Sequence, residues 1–391
     1  VAETPVAPLL VFADDWGRHP SSCQHLVRRL LPRHAVHWVN TIGMRTPRLD
    51  AATLSRGFEK LRHWAARKPE AKHELPANLR VHNPLMWPWL GGPFGRALNR
   101  RLLLRHLLPL VRSLPRPPVA LTTLPITSLL IGRLPVERWV YYCVDDFTEW
   151  PGLDRETLRS LDEDVIRGAD TLIAVSQTLR ERLAARGRDS HLLTHGVDLD
   201  LLAGGQGRLP PLDLPRPWVV FWGTIDRRMD VAWVKRLAAD LAEGTILLVG
   251  PQADPDPELV AIPRVATVPP MAYEDLPALA RTAAVLVMPY ADLPVTRAMQ
   301  PLKLKEYLAT GRPVVVRDLP ANRPWGDCLD LATTAEAFSA TVRRRLETGL
   351  PAEQGEARER LREESWEHKA AQLAEWAGLV PQPREVGHAL S

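Results

Sequence analysis

Residues 301–316 read PLKLKEYLATGRPVVV, and Lys303 and Glu306 within them are the pair most suited to chemistry. The stretch carries the signals of a short helix feeding a strand. Pro301 suits the first helical position and Gly311 the left-handed residue just past the end. Leu304 and Leu308 give the helix one apolar face, and Val314, Val315 and Val316 read as a buried strand. Lys303 then falls in the first turn, where the helix dipole is positive and a cation is disfavoured. An anion would make it useful there, because free N–H groups at a helix start attract phosphate and a lysine adds a full charge. Glu306, one turn later, can accept hydrogen bonds from two adjacent hydroxyls, as on a ribose. Lysine for phosphate and glutamate for ribose point to a nucleotide. The same two residues also fit an i, i+3 surface ion pair worth little, and this stretch alone leaves both alternatives open.

These residues must be positioned by a globular framework. The 391 residues, 45% hydrophobic and 25% charged, suffice for two domains and exclude a disordered or fibrous chain. Cys23, Cys143 and Cys328 are far apart, form no metal-ligand spacing and suit a reducing compartment as buried thiols. The N-terminal stretch lacks a basic n-region, so no signal peptide is expected, and no apolar run is long enough to span a membrane. Charge is uneven. Residues 16–144 hold 21 Lys/Arg against 5 Asp/Glu, a net of +16, while the whole chain is only +4. A basic first half implies an anionic partner: phosphate, nucleic acid or an acidic membrane surface.

Apolar strand candidates alternate with helix candidates through most of the chain. The strands are 8–14, 35–40, 118–124, 138–146, 171–176 and 191–198, with helices at 19–31, 94–112, 155–169 and 177–187 between them. A second series starts after the Gly/Pro-rich stretch AGGQGRLPPLDLPRP. It has strands at 218–223, 245–250, 264–268, 283–290, 313–316 and 329–333, and helices at 231–244, 275–283 and 301–310. Continuous apolar runs, without alternation, mark parallel strands buried on both faces. The expected fold class is α/β, with two doubly wound Rossmann-like domains and a ligand cleft between them. The expected division is 1–204, a linker 205–217, 218–360, a helix 361–378 returning to the first domain, and a tail 379–391. No internal repeat and no GxGxxG occurs.

The succession ADTLIAVSQTL, HGVD, FWGTIDRRMD, LLVGP, MPY and PLKLKEYLATGRPVVV resembles the bacterial glycosyltransferases of family 4, which have the GT-B fold. The resemblance is strongest over residues 165–320. It implies that the second domain binds a nucleotide-sugar, UDP- or GDP-linked, with Glu306 on the ribose hydroxyls. Lys303, Arg227 and Arg228 would face the diphosphate, Gly223 and Thr224 would let the backbone approach it, and Pro301 and Leu302 would open the helix beside it. The departing nucleoside diphosphate gains charge, which fixed cations and N–H groups stabilise. The resemblance further implies retention of anomeric configuration, no metal and no cofactor. Many relatives carry a second glutamate eight residues before the first; here that position is Ala298. Sugar contacts would then come from Asp292, Arg297 or the backbone of Met299 and Gln300.

Catalytic roles are expected for Asp146, Lys303 and Arg227, with Asp15, Trp16, Gly17, His19 and Asp145 on the acceptor side. Each has an ordinary structural alternative. Asp145 and Asp146, like Asp14 and Asp15, could cap the helix that follows; His19 and His195 could simply pack; Asp226–Arg228 could be a solvated turn. Glu274 and Asp275 either border the base or start a helix. Trp87, Trp89 and Phe94 beside the basic helix 94–112 fit either a membrane surface or domain packing with an arginine rim. The expected activity is transfer of a sugar from a nucleoside diphosphate to a glycan or lipid-linked saccharide, in cell-surface polysaccharide or glycoconjugate biosynthesis. The expected location is the cytoplasm, with peripheral contact at the inner face of the plasma membrane. The competing readings are a nucleotide-sugar 2-epimerase, an inactive binding relative and, ranked last for want of a recognition motif, a nucleic-acid binder.

Overall fold

The computed structural model describes residues 6–17, 21–41, 75–150, 153–204 and 207–380. It forms two compact units. The first comprises Val1–Ala174, Arg182–Leu193 and Ala370–Ser391, the second Val175–Glu181 and Thr194–Lys369.

The first unit is built on seven parallel strands: β1 (Leu9–Ala13), β2 (Val36–Asn40), β3 (Leu79–His82), β4 (Val119–Thr122), β5 (Arg138–Cys143), β6 (Thr171–Ala174) and β7 (His191–Leu192), in the order β3-β2-β1-β4-β5-β6-β7. Leu10 lies opposite His37 on one side and Ala120 on the other. All of β1 is buried because helices cover both faces, which is why its sequence runs LLVFA without alternation. Ser21 caps helix Ser22–Leu30 through Gln24 N, and Asp154 caps Arg155–Gly168 through Thr157 N. Two expectations change here. β3, LRVH, was missed because a short edge strand carries polar residues that hide the pattern. The run 191–198 is strand only at His191–Leu192. After Leu193 the chain enters the second unit, where Val197 pairs with Ser365.

The second unit has six parallel strands: β8 (Trp218–Trp222), β9 (Thr245–Val249), β10 (Val265–Val268), β11 (Ala283–Met288), β12 (Val314–Arg317) and β13 (Asp330–Ala332), in the order β10-β9-β8-β11-β12-β13. Phe221, Leu248, Leu286 and Val315 are fully buried in its core. The described part of the expected linker, 207–217, groups with this unit, and its Leu209, Leu212 and Leu214 pack against that core. Both sheets are doubly wound. The direction of winding reverses between β1 and β4 and between β8 and β11, and it is beyond the C-terminal ends of such strand pairs that ligands bind in open α/β sheets. Cys23, Cys143 and Cys328 are buried free thiols. Among the described residues no helix is long and apolar enough to cross a membrane.

Candidate functional site

In the second unit the reversal point is filled by the residues singled out above. Helix Leu302–Ala309 begins one residue after Pro301, which is its N-cap, and Gly311 follows it at φ +69°. Leu304 and Leu308 are buried as the spacing predicts. Lys303 does not pair with Glu306. Its ammonium instead donates to the Tyr290 hydroxyl at 2.5 Å and lies over the rings of Phe221, at 4.7 Å, and Tyr290, at 5.1 Å. Gly223, directly after β8, sits under it at φ +134°; a Cβ there would be 2.4 Å from Lys303 Nζ. The backbone angle calls for glycine at 223, and the missing Cβ leaves room for the end of the lysine. Thr224 is the next residue, and Ile225 N is held by the Pro251 carbonyl at 2.9 Å.

Glu306 is 4% exposed and accepts a hydrogen bond from Trp222 Nε1 at 3.3 Å. Burial raises its carboxyl from the ordinary value of 4.5 to about 7, against the opposing pull of the Trp222 indole, the Lys303 charge and Tyr273. Tyr307 locks the helix to β8: its hydroxyl accepts from Trp222 N at 2.8 Å and donates to the Trp222 carbonyl at 3.2 Å.

The two arginines of the loop after β8 part company. Arg228 is largely buried, bound to both carboxylate oxygens of Asp226, with its Nη1 at 3.8 Å from Met299 Sδ and its guanidinium 5.6 Å from the Tyr290 ring centroid. It therefore shares the Tyr290 ring with Lys303. Arg227 is exposed and pairs at 3.1 Å with the equally exposed Asp254. The structure thus brings Lys303, Glu306, Gly223 and Arg228 together and leaves Arg227 on the surface. Asp292 and Arg297 bind each other, with both contacts at 2.6 Å. Ala298 is buried, and its carbonyl accepts from Ser176 Oγ at 2.6 Å. Asp275 accepts from Arg208 N at 2.8 Å instead of capping the helix after it. His195 is buried, with its ring 6.4 Å from that of Trp366.

Three participants were missed in the sequence. Tyr290 and Trp222 stand at or just past a strand end, inside the expected strands 283–290 and 218–223, where aromatic residues look like core. Lys305 was read only as part of the helix. It is 1% exposed, and its three N–H groups go to Thr194 Oγ1, the His195 carbonyl and Glu364. Glu364 also binds Lys369 at 2.9 Å. Burial lowers Lys305 to about 8, with Glu364 opposing the shift.

In the first unit, Asp146 is buried and engaged. It accepts from Thr148 N at 3.1 Å and Thr148 Oγ1 at 2.5 Å, and pairs with Arg182 Nε at 3.1 Å. Arg182 also binds Asp162, which accepts from the Tyr141 hydroxyl at 2.6 Å. Asp146 is thus held in a buried hydrogen-bonded and ion-paired network. The Cys143 thiol approaches the Asp145 carbonyl at 3.8 Å. After β1, Gln24 ties the loop down: it accepts from Gly17 N at 3.0 Å and donates to the Asp15 carbonyl and to Asp14. Trp16 N donates to Asn40, and the Trp16 ring packs edge-on against Trp38 at 4.8 Å. Asp15, Trp16 and Gly17 therefore lie at the reversal point of the first sheet. His19 lies outside the described residues.

Residues 216–348 match the model of a family described as glycosyl transferases group 1. Over 179 residues the chain is 29% identical to a putative teichuronic acid biosynthesis glycosyltransferase, TuaH, of Bacillus subtilis (strain 168), covering 43% of this chain and 45% of that one. The match thus spans about half the length of that curated relative. Among solved structures, sucrose-phosphate synthase from Thermosynechococcus elongatus superimposes with a TM-score of 0.69 at 17% identity, covering 94% of this chain and 98% of the other. A trehalose-6-phosphate structure from E. coli bound with UDP-2-fluoro glucose gives 0.66 at 13% identity, covering 96% and 100%. HepE from Anabaena, solved with UDP-glucose, gives 0.63 at 14%, also covering 96% and 100%. The expected GT-B fold is therefore present, and its second unit carries the match to the group 1 glycosyl transferase model.

Proposed function

We propose that this chain is a glycosyltransferase that moves a sugar from a nucleoside diphosphate, UDP- or GDP-linked, to a glycan or lipid-linked saccharide acceptor. The observation that carries the reading is the cradle at the β8/β11 reversal point, where Lys303, seated on Gly223, opens a helix whose next turn presents the buried Glu306. Lys303 and the N–H groups at Leu302 would hold the diphosphate, and Glu306 the ribose hydroxyls. An acceptor hydroxyl would bond to the anomeric carbon as the bond from that carbon to the phosphate oxygen breaks. The hydroxyl proton would pass to the departing phosphate. With this one proton transferred and one diphosphate released, the step is balanced. Charge on the leaving group would be met by Lys303 and the helix end, the role a divalent metal fills in other sites, so the activity is proposed to be metal-independent. Transfer with retention is proposed from the sequence resemblance alone.

A polysaccharide acceptor is proposed from the teichuronic acid biosynthesis for which the TuaH relative is named and from the basic first half of the chain. A lipid-linked acceptor would bring the enzyme to the inner face of the plasma membrane, and the exposed Trp87 and Phe94 suit such contact. The test is nucleoside diphosphate release from a panel of UDP- and GDP-sugars, with and without lipid-linked saccharides. Acceptor-dependent release that survives EDTA supports the reading. Turnover of the donor alone into its 2-epimer supports the epimerase. Nucleotide binding with no turnover supports an inactive relative, the reading that Ala298 favours.

A further inference from the structure

The cradle around Lys303 lies past the C-terminal ends of β8 and β11. The opposite edge of the same sheet holds a second feature that the nucleotide-sugar reading does not use. Beside the first residues of β8 and β11 is a wide, solvent-open depression of about 520 Å³ lined by Arg216, Arg281 and Arg312, with Glu243 as the sole carboxylate of its lining.

Several arginines of this unit come with carboxylates, as in Arg228 with Asp226, Arg317 with Asp230, Arg345 with Asp330 and Arg360 with Asp327, while Arg264 and Arg358 donate to main-chain carbonyls. Arg216, Arg281 and Arg312 pair with none among the described residues. Two of them are nevertheless held in place. Arg216 stacks over the Trp218 ring at 4.1 Å and donates from Nη1 to the Thr282 carbonyl at 3.3 Å. Arg312 Nη2 donates to the Arg281 carbonyl at 2.5 Å. Those carbonyls end helix Leu276–Thr282, where cations are favoured. Helix capping accounts for one N–H of each guanidinium, and each has five. The remaining donors and the whole of the Arg281 side chain face the solvent-open depression. Three like charges around one depression repel one another, and a bound anion relieves that repulsion. The planar guanidinium fork matches phosphate oxygens two at a time, and three forks ask for more than one phosphate.

We propose that this open, arginine-lined depression is a second anion site, for a compact ligand carrying two or more phosphate groups, separate from the Lys303 cradle. Such a group comes either free in solution or as a lipid headgroup. The test uses the full chain with Lys303→Ala/Glu306→Ala, so that phosphate cannot report from the cradle. Tripolyphosphate is titrated by calorimetry at low ionic strength, and cardiolipin vesicles are offered in a second arm. The expected result is binding at one site per chain, weakened roughly tenfold by Arg281→Gln and further by Arg216→Gln/Arg312→Gln. Arg281→Gln leaves every capping bond intact, so its effect cannot come from unfolding. Binding of tripolyphosphate alone supports a soluble ligand, and binding of vesicles as well supports a headgroup. No binding in either arm, or binding that none of these substitutions weakens, overturns the proposal.

Discussion

Glu306 is the residue whose protonation links the fold to the proposed ligand. Burial raises it from 4.5 to about 7, so between those pH values the folded chain keeps a proton that the unfolded chain has released. Its contribution to stability is complete below pH 4.5 and is lost as pH rises through 7, by roughly 3 kcal/mol in all. Glu306→Gln should flatten that part of the stability curve, measured by urea melts from pH 4.5 to 8. Ribose hydroxyls need the ionised carboxylate, so nucleotide affinity in the wild type should weaken as pH falls below 7, and in Glu306→Gln it should be weak and flat. The two arginines of the β8 loop give a sharper contrast. Arg227→Gln removes an exposed pair and should change nucleotide affinity little. Arg228→Gln breaks a buried one beside Tyr290 and should cost about 2 kcal/mol of binding or stability, seen by calorimetry and melting in parallel. Asp146→Asn should lower the melting temperature through the Arg182 network while leaving nucleotide affinity unchanged; an unchanged melt with lost turnover would place Asp146 in catalysis.

At the scale of elements, helix Leu302–Ala309 has one face for the ligand and one for the fold. Lys303 and Glu306 face the proposed nucleotide, while Lys305 binds Thr194, the His195 carbonyl and Glu364. Lys305→Met leaves Glu364 with Lys369 alone and the buried His195 carbonyl without its donor, so it should destabilise by about 2 kcal/mol. The same change in a Glu364→Gln background should cost distinctly less, which a double-mutant cycle of melts would show. The helix itself was legible: Pro301, Gly311 and the Leu304/Leu308 spacing mark it to within a residue. Lys303 was legible because a cation at a helix start needs a reason. Lys305 was not, since a lysine on a short helix looks solvated and its three partners lie more than 50 residues away in sequence. Tyr290 and Trp222 were hidden for the opposite reason, because a buried aromatic beside a strand looks like core.

For the whole molecule, the sequence shows two parallel sheets because both-face burial writes continuous apolar runs that polar edges do not. Edge strand β3 was lost for that reason, and the short β7 because pairing beyond Leu192 is decided by contacts distant in the chain. The central claim is that the second sheet's reversal point holds a nucleoside diphosphate. Its most direct test is a thermal-shift panel of UDP, GDP, ADP and TDP on the wild type and on Lys303→Ala/Glu306→Ala. A ligand at a hundred times its dissociation constant stabilises by about 2.7 kcal/mol. The account predicts such a shift with UDP or GDP that disappears in the double variant. No shift with any of the four, or a shift that survives both substitutions, would contradict it.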